Sequence, residues 1–344
     1  MEELIQLMRD KGTLANLVGE ARVFLKAIEN LPAMAKSDAT VLICGETGTG
    51  KELVARAIHY LSDRAAYPFV PVNCGALPDS LLEDELFGHE RGAFTDAQSR
   101  RAGLIGQSDR GTIFLDEVNS LTGRAQGALL RVLQEKTFRM LGGTQEHHAD
   151  VRIVAATNAA LDPLLKEKIF RTDLYYRLSV FTIHLPPLRD RKEDILVLAS
   201  YFAKKHASPN KPVLQLSSAA CERLVAYDWP GNVRELENAI IRGTQLSKSN
   251  TIEAEDLDLP TCSNRAFDLS VSVPSLDGPS FKEQKQKVIE EFERAYLLRL
   301  MTEHHGNVSR AAQAAGKERR DLGKLLKKYR VNPAHHAIPA SRSS

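Results

Sequence analysis

Val41-Leu42-Ile43-Cys44 runs directly into Gly45-Glu46-Thr47-Gly48-Thr49-Gly50-Lys51, and Glu52–Tyr60 follows with helical spacing. A short apolar strand, a glycine loop and a helix in that order leave few folds open. The glycines let the backbone turn its N–H groups inward around phosphate oxygens, and the helix N-terminus adds partial positive charge. Lys51 then reaches the β- and γ-phosphates of a nucleotide. An ordinary glycine-rich turn requires neither the strand before nor the helix after. Gly45, Glu46, Thr47, Gly48, Thr49, Gly50, Lys51 and Glu52 are the candidate cofactor-binding residues. The general pattern has Ser or Thr after the lysine to touch Mg2+. Glu52 stands there instead, so Thr49 or a water must serve.

The second half of such a site is an apolar strand that ends in carboxylates. Gly111-Thr112-Ile113-Phe114-Leu115-Asp116-Glu117 supplies it. Asp116 would hold Mg2+, directly or through water, and Glu117 would polarise the attacking water as a general base. An acidic helix cap looks similar when read alone, but this strand end follows Lys51 within an α/β pattern. Val154-Ala155-Ala156-Thr157-Asn158 is a third strand with a polar end. Asn158 either senses the γ-phosphate or forms a turn. Together these segments predict an ATPase of the P-loop type, with ATP and Mg2+ as cofactors.

Strands are expected at 40–44, 69–73, 112–115, 151–155 and 180–185, alternating with amphipathic stretches, so residues 17–187 read as an α/β core with a parallel sheet. Leu185-Pro186-Pro187-Leu188 is a rigid break. Residues 188–260 read as wholly helical. Residues 261–280 are rich in Ser, Pro, Asp and Gly and read as a linker. Residues 281–333 are helical again, residues 334–344 read as a disordered tail, and residues 1–16 as a short leader. The whole chain has 344 residues and a net charge of +2, yet residues 281–330 hold 13 Lys/Arg against 7 Asp/Glu. A basic terminal module is either an electrostatic footprint for nucleic acid or a solvated helical face.

Cys44, Cys74, Cys221 and Cys262 are widely spaced, which argues against a zinc ribbon and fits a reducing compartment. The histidines at 147–148, 304–305 and 335–336 are adjacent pairs, not the i, i+4 spacing of a helical metal site. Met1-Glu2-Glu3-Leu4 puts acidic residues where a signal peptide would carry basic ones, so none is expected, and no uncharged apolar run approaches the ~20 residues that span a bilayer. A cytoplasmic protein without membrane contact is expected.

One segment is not explained by ATP hydrolysis: Glu85-Leu86-Phe87-Gly88-His89-Glu90-Arg91-Gly92-Ala93-Phe94-Thr95-Asp96-Ala97. Here the chain resembles the sigma-54-dependent transcriptional activators, the bacterial enhancer-binding proteins of the AAA+ class. GETGTGKE, ELFGHE, GAFTDA, GTIFLDE, VAATN, FRTDLYYRL and WPGNVREL occur in that family's order. The resemblance covers about residues 17–260, and 281–330 resembles the family's Fis-type helix-turn-helix. It implies an AAA+ ATPase core, a helical lid and an all-α DNA-binding domain. It also implies that Gly92, Ala93, Phe94, Thr95, Asp96 and Ala97 form the loop that contacts sigma-54, with Phe94 and Thr95 making the contact. A second loop around Arg139-Met140-Leu141-Gly142-Gly143 would assist. Asp96 departs from the family signature, which has glycine there.

By the same resemblance Arg171 and Arg177 are arginine fingers acting in trans, although a surface salt bridge is the common fate of such residues. Arg234 is the second sensor, reaching the γ-phosphate across the lid. Asn73 is the switch residue that pairs with Glu117. Asn307–Gly316 reads as the first helix of the DNA-binding module, and Glu318–Tyr329 as its recognition helix. Arg319 and Arg320, near the helix start, would reach base edges, while Lys324, Lys327 and Lys328 would meet phosphates. Gly323 within that helix is unusual, because glycine weakens helices. Lys282–Met301 reads as a dimerising helix.

The expected partners are therefore sigma-54 and the RNA polymerase holoenzyme, double-stranded DNA at an upstream enhancer site, and further copies of the chain, as a dimer and an active hexamer. The expected activity is ATP hydrolysis that opens the promoter complex. Two alternatives stand beside it: a DNA-binding regulator that uses ATP only to set its oligomeric state, and a different AAA+ machine. The leader is shorter than the ~50 residues a sensor domain needs, so control by a partner, or a fragment lacking its sensor, is expected.

Overall fold

The computed structural model describes residues 17–94, 97–207, 214–247 and 250–259, and many of those between 290 and 329. The leader, the linker, the tail and most of the expected dimerising helix lie outside them. The chain divides into two compact units, Met1–Cys262 and Ser263–Ser344.

The strands of the first unit are, in chain order, β1 (Val41–Cys44), β2 (Phe69–Asn73), β3 (Gly88–His89), β4 (Arg101–Ala102), β5 (Thr112–Asp116), β6 (Thr137–Arg139), β7 (Glu146–His148), β8 (Arg152–Thr157), β9 (Phe181–His184), β10 (Gln215–Leu216) and β11 (Thr251–Ile252). Five form one sheet in the order β2-β5-β8-β1-β9, every neighbouring pair parallel. The apolar runs explain why it is parallel and covered on both faces. All six residues of β8 are buried, and successive side chains go to opposite cores. Leu42, Ile113, Leu115, Ile153 and Ala155 pack on one face with the helices Asp79–Phe87, Gly123–Glu135 and Thr172–Leu178. Val41, Ile43, Phe114, Val154 and Ala156 pack on the other with Arg22–Ile28 and Lys51–Tyr60.

The order also fixes where a ligand can sit. The chain leaves β1 for the far edge at β2 and returns through β5 and β8, so β1 and β8 flank a switch point. In open parallel sheets, ligands bind beyond the carboxyl ends of the strands at such a point. Cys44 pairs in register with Thr157, and Asn73 with Asp116, so the ends of β1, β2, β5 and β8 stand together.

Beyond the 3-10 turn Leu188–Asp190, a smaller helical body is built from Glu193–Lys205, Ser218–Ala226 and Asn232–Leu246. Its core holds Leu188, Leu198, Trp229, Leu236 and Ile240. Ser217 caps its second helix, accepting from Ala220 N. The expectation of helix alone over 188–260 is corrected by β10 and β11, a parallel pair of two residues each. Strands this short carry no period-2 pattern to read. The hairpins β3–β4 and β6–β7 were not expected either, for the same reason. The sheet strands themselves lie within two residues of the sequence-based bounds.

In the second unit, Val308–Ala314 and Arg319–Lys328 are helical. Leu322 and Leu326 pack against Leu297, Leu300, Met301, Ala311 and Ala312. Asn307 Oδ1 accepts from the N–H groups of Ser309 and Arg310, which caps the first of these helices. No helix among the described residues is long and apolar enough to cross a membrane.

Candidate functional site

The loop between β1 and the helix Lys51–Tyr60 bends through two left-handed glycines, Gly48 at φ 80° and Gly50 at φ 103°. It opens into a cleft of about 350 Å3. Thr47, Gly48, Thr49, Gly50, Lys51 and Glu52 line it together with Asn73, Asp116, Glu117 and Arg234. The cradle, both carboxylates and the lid arginine expected from the sequence therefore converge. Asn158 stands beside them, with Nδ2 3.2 Å from Glu117 Oε1 and 3.4 Å from Thr47 Oγ1.

Lys51 is buried, and its Nζ donates to the carbonyls of Gly45 and Glu46 at 2.8 and 3.1 Å. Burial pulls its pKa below the usual lysine value, and the negative charges of Asp116 and Glu117 work against that pull. Asp116 Oδ1 accepts from the N–H of Glu117 at 2.9 Å, and Glu117 adopts a left-handed backbone at φ 56°. Such a turn at a strand end aims the next carboxylate away from the sheet into the cleft.

Two residues sit differently from expectation. Asn73 was expected to pair with Glu117, but its Oδ1 accepts from Gly75 N at 2.8 Å, and Glu117 takes its amide from Asn158. Gly75 lies between them: a Cβ there would stand 2.4 Å from Glu117 Oε2. Thr49 was a candidate hydroxyl for Mg2+. It is buried and donates to Glu46 O at 2.8 Å, stapling the loop. Glu52 pairs with Arg56 one helical turn on, at 2.7 Å.

The other end of the cleft was not legible. Leu17, Val18 and Phe24 from the N-terminal segment and Leu198, Tyr201 and Phe202 from the lid form an apolar wall. Asp194 holds this segment in place, accepting from the N–H groups of Glu20 and Ala21 at 2.6 and 2.8 Å. Arg191, 2% exposed, lies over the Phe24 ring at 4.6 Å and donates to Thr49 O at 3.1 Å. A cleft with an apolar wall at one end and cationic and acidic groups at the other suits a nucleotide base and its phosphates. Six wall residues from two distant segments share no spacing a sequence could reveal.

Arg171 and Arg177 do not line this cleft. Arg171 is exposed, forks onto Asp173 at 3.0 and 2.7 Å, and is tied through its N–H to Gln126 Oε1. Arg177 is exposed on the helix Thr172–Leu178. Tyr176 beside it is 70% exposed, and Ile169 and Val180 are exposed nearby in the chain.

The second glycine loop rises from the helix Asp79–Phe87 and β3. Gly92 is left-handed at φ 84°. Its N–H donates to Ala97 O at 2.8 Å, and Ala97 N donates to Phe94 O at 3.0 Å. Phe94 is 45% exposed and stands edge-on to His89, whose Nδ1 is 2.6 Å from Asp84 Oδ1. Thr95 and Asp96 lie outside the described residues. The segment Arg139–Gly143 is bound to this loop: Glu90 N donates to Leu141 O and Leu141 N to Gly88 O, and Gly142 abuts Ala93. In the second unit Arg319, Arg320 and Lys327 are exposed. Lys324 pairs with Asp321 at 3.1 Å, and Lys328 lies 3.9 Å from Glu293.

Comparison with known proteins decides the family. Residues 17–184 match the sigma-54 interaction domain, 189–267 the AAA+ ATPase lid domain, and 288–329 the bacterial regulatory protein, Fis family. The regulatory protein AtoC of Escherichia coli (strain K12) is 44% identical over 339 residues, covering 97% of this chain and 72% of AtoC. The chain belongs to the sigma-54-dependent transcriptional activators. The nitrogen fixation protein AnfA of Azotobacter vinelandii is 40% identical over 94% of this chain and 59% of AnfA. Across the first relatives the chain spans between 46% and 72% of their length. NtrX from Brucella abortus, in a structure with ATP, superposes with a TM-score of 0.67 at 32% identity, over 96% of this chain and 73% of that one. The fold is thus the AAA+ P-loop ATPase with its lid and a helix-turn-helix module, and the nucleotide of this family is ATP.

Proposed function

We propose that this chain is an ATP-hydrolysing, DNA-binding activator that remodels sigma-54 RNA polymerase from the closed to the open promoter complex. Residues 17–187 act as the ATPase body, 188–260 as the lid and 281–333 as the DNA-binding module. The observation that carries the reading is the convergence of Lys51, Asp116, Glu117 and Arg234 on one cleft, while Phe94 stands exposed on a separate, tethered loop.

Asn73 ends β2, and the helix Asp79–Phe87 that leads to that loop begins six residues later. A change at the strand ends therefore has a short covalent route to Phe94. Lys51 and Arg234 supply positive charge to the phosphates, and Glu117, oriented by Asn158, takes a proton from the attacking water. Mg2+ at nucleotide sites takes one or two carboxylates, with phosphates and water completing the shell. Asp116, at the end of its strand in the cleft, fits that need. Mg2+ would neutralise developing phosphate charge there, with Asp116 as its holder.

Arg171 and Arg177 are exposed away from the chain's own cleft, which suits fingers for a neighbouring subunit. The active form is then a ring, by family a hexamer, with dimers on enhancer DNA held by Arg319, Arg320, Lys324, Lys327 and Lys328. Phe94, Thr95 and the rest of Gly92–Ala97 contact sigma-54, and the protein works in the cytoplasm. Asp96 in the contact loop favours a second reading, a regulator that uses ATP without acting on sigma-54.

Subunit mixing tests the shared site. Arg171→Ala should lower turnover by about 10³-fold or more. Adding Lys51→Ala subunits, which keep both arginines, should restore turnover in part. Full activity of Arg171→Ala alone, or no restoration on mixing, would remove the trans assignment.

A further inference from the structure

We propose that Asn232 is a positioning residue for ATP turnover: its carboxamide clamps the lid to the phosphate loop and so sets where Arg234 stands. This rests on the ATPase reading and specifies how the lid of that site is held.

Asn232 opens the lid helix Asn232–Leu246 and is fully buried. Its side chain reaches both other parts of the site. Nδ2 donates to Glu46 Oε2 at 3.1 Å and to Thr47 O at 3.0 Å, both on the phosphate loop. Oδ1 accepts from Leu188 N at 2.8 Å, at the turn between body and lid. The next residue continues the join, with Val233 N donating to Gly48 O at 3.0 Å. Glu46 is the other arm of the clamp. Its carboxylate takes Arg189 in a two-pronged pair at 2.6 and 2.8 Å, and this pair holds the Glu46 carboxyl below the usual range.

Lid and loop meet without spare room. A Cβ on Gly48 would stand 2.3 Å from Gly231 O and 3.2 Å from Arg234 Cβ. Arg234 follows Asn232 by two residues on the same helix, so the clamp and the arginine move as one piece. The backbone of Asn232 points the same way. It is left-handed at φ 53°, a conformation glycine takes freely and asparagine takes more easily than other side chains. Glycine would serve the backbone alone, so what asparagine contributes is the carboxamide. The Asn232 carboxamide is buried at the centre of this network, while Glu46 and Arg189 complete it at its half-exposed rim, and a buried polar group satisfied on both its nitrogen and its oxygen rigidifies what it joins. The lid has its own apolar core around Trp229 and Leu236, which does not depend on that carboxamide.

The test is Asn232→Gly in the full chain, which keeps the backbone conformation and deletes only the clamp. The melting temperature should fall modestly, because Leu188 N loses its buried acceptor, while the variant stays folded at the assay temperature and KM for ATP rises about tenfold or more, the scale of losing hydrogen bonds to a charged carboxylate and a backbone carbonyl. Glu46→Gln should act in the same direction with a smaller shift. In the double variant the two effects should combine to less than their product, because they break one network. Unchanged KM and kcat in Asn232→Gly, or a lowered melting temperature with unchanged KM, would overturn the proposal. If Asn232→Gly does not fold, Glu46→Gln decides, and an unchanged KM there overturns it. Absence of turnover in the parent would instead strike the ATPase reading.

Discussion

Two glycine loops in the same unit are built on opposite principles. The loop at residues 45–50 is enclosed: Gly48 lies against Gly231 O, Asn232 bonds to Thr47 O, and Lys51 bonds to Gly45 O and Glu46 O. The loop that begins at Gly92 is open. A Cβ on Gly92 would meet nothing within 4 Å, and an aromatic ring stands half exposed two residues on. Both use left-handed glycine, but the first needs it for space and conformation, the second for conformation alone. A loop held from several sides keeps the geometry that phosphate chemistry requires. The described part of the second loop is held by a few backbone bonds and leaves Phe94 exposed, which suits the contact role proposed for it.

The comparison can be broken first at the chemistry. Glu117→Gln should keep nucleotide binding, read with a fluorescent nucleotide, and lower phosphate release by about 10²–10⁴-fold. Normal release would remove Glu117 from its role. Lys51→Ala should cost about 10²–10³ in turnover, the scale for one lost charge-stabilising donor. Unchanged turnover would detach the enclosed loop from the reaction.

Stability sharpens the contrast between the loops. Gly48→Ala adds a backbone clash to an unfavourable φ and should cost about 3 kcal/mol or more. Gly92→Ala meets only the φ term and should cost about 1–2 kcal/mol. Denaturant unfolding measures both, and equal costs would erase the distinction. The smallest effect belongs to the recognition helix. Gly323 lies in open space at an ordinary helical φ, so Gly323→Ala should stabilise the second unit by about 0.5–1 kcal/mol, seen as a higher melting temperature of that unit.

Much of this was legible in the sequence, for a local reason. The β1–loop–helix segment, the carboxylates at Asp116 and Glu117 and the strand end at Asn158 are each defined by neighbours in the chain, and the structure brings them to one cleft. What stayed hidden is assembled from distant segments. The apolar wall joins Leu17 and Val18 to Tyr201 and Phe202, and no periodicity links residues so far apart. Arg189 and Arg191 belong to none of the motifs read from the sequence, yet one grips Glu46 and the other is buried over Phe24. Asn232 stood within the WPGNVREL motif without a role of its own, because its three partners lie at residues 46, 47 and 188. The Asn73 pairing missed for a different reason: resemblance supplied a partner, while the local turn supplied a closer one in Gly75 N.

The most direct test is open-complex formation by sigma-54 RNA polymerase at a promoter with this protein's DNA site, comparing ATP with a non-hydrolysable analogue and the parent with Phe94→Ala. The account predicts opening with ATP and the parent chain only, and Phe94→Ala that hydrolyses ATP within about twofold of the parent but opens nothing, as expected for an exposed contact residue outside the cleft. A parent that hydrolyses ATP and binds its DNA yet opens no promoter, or a Phe94→Ala variant that opens it normally, would contradict the account.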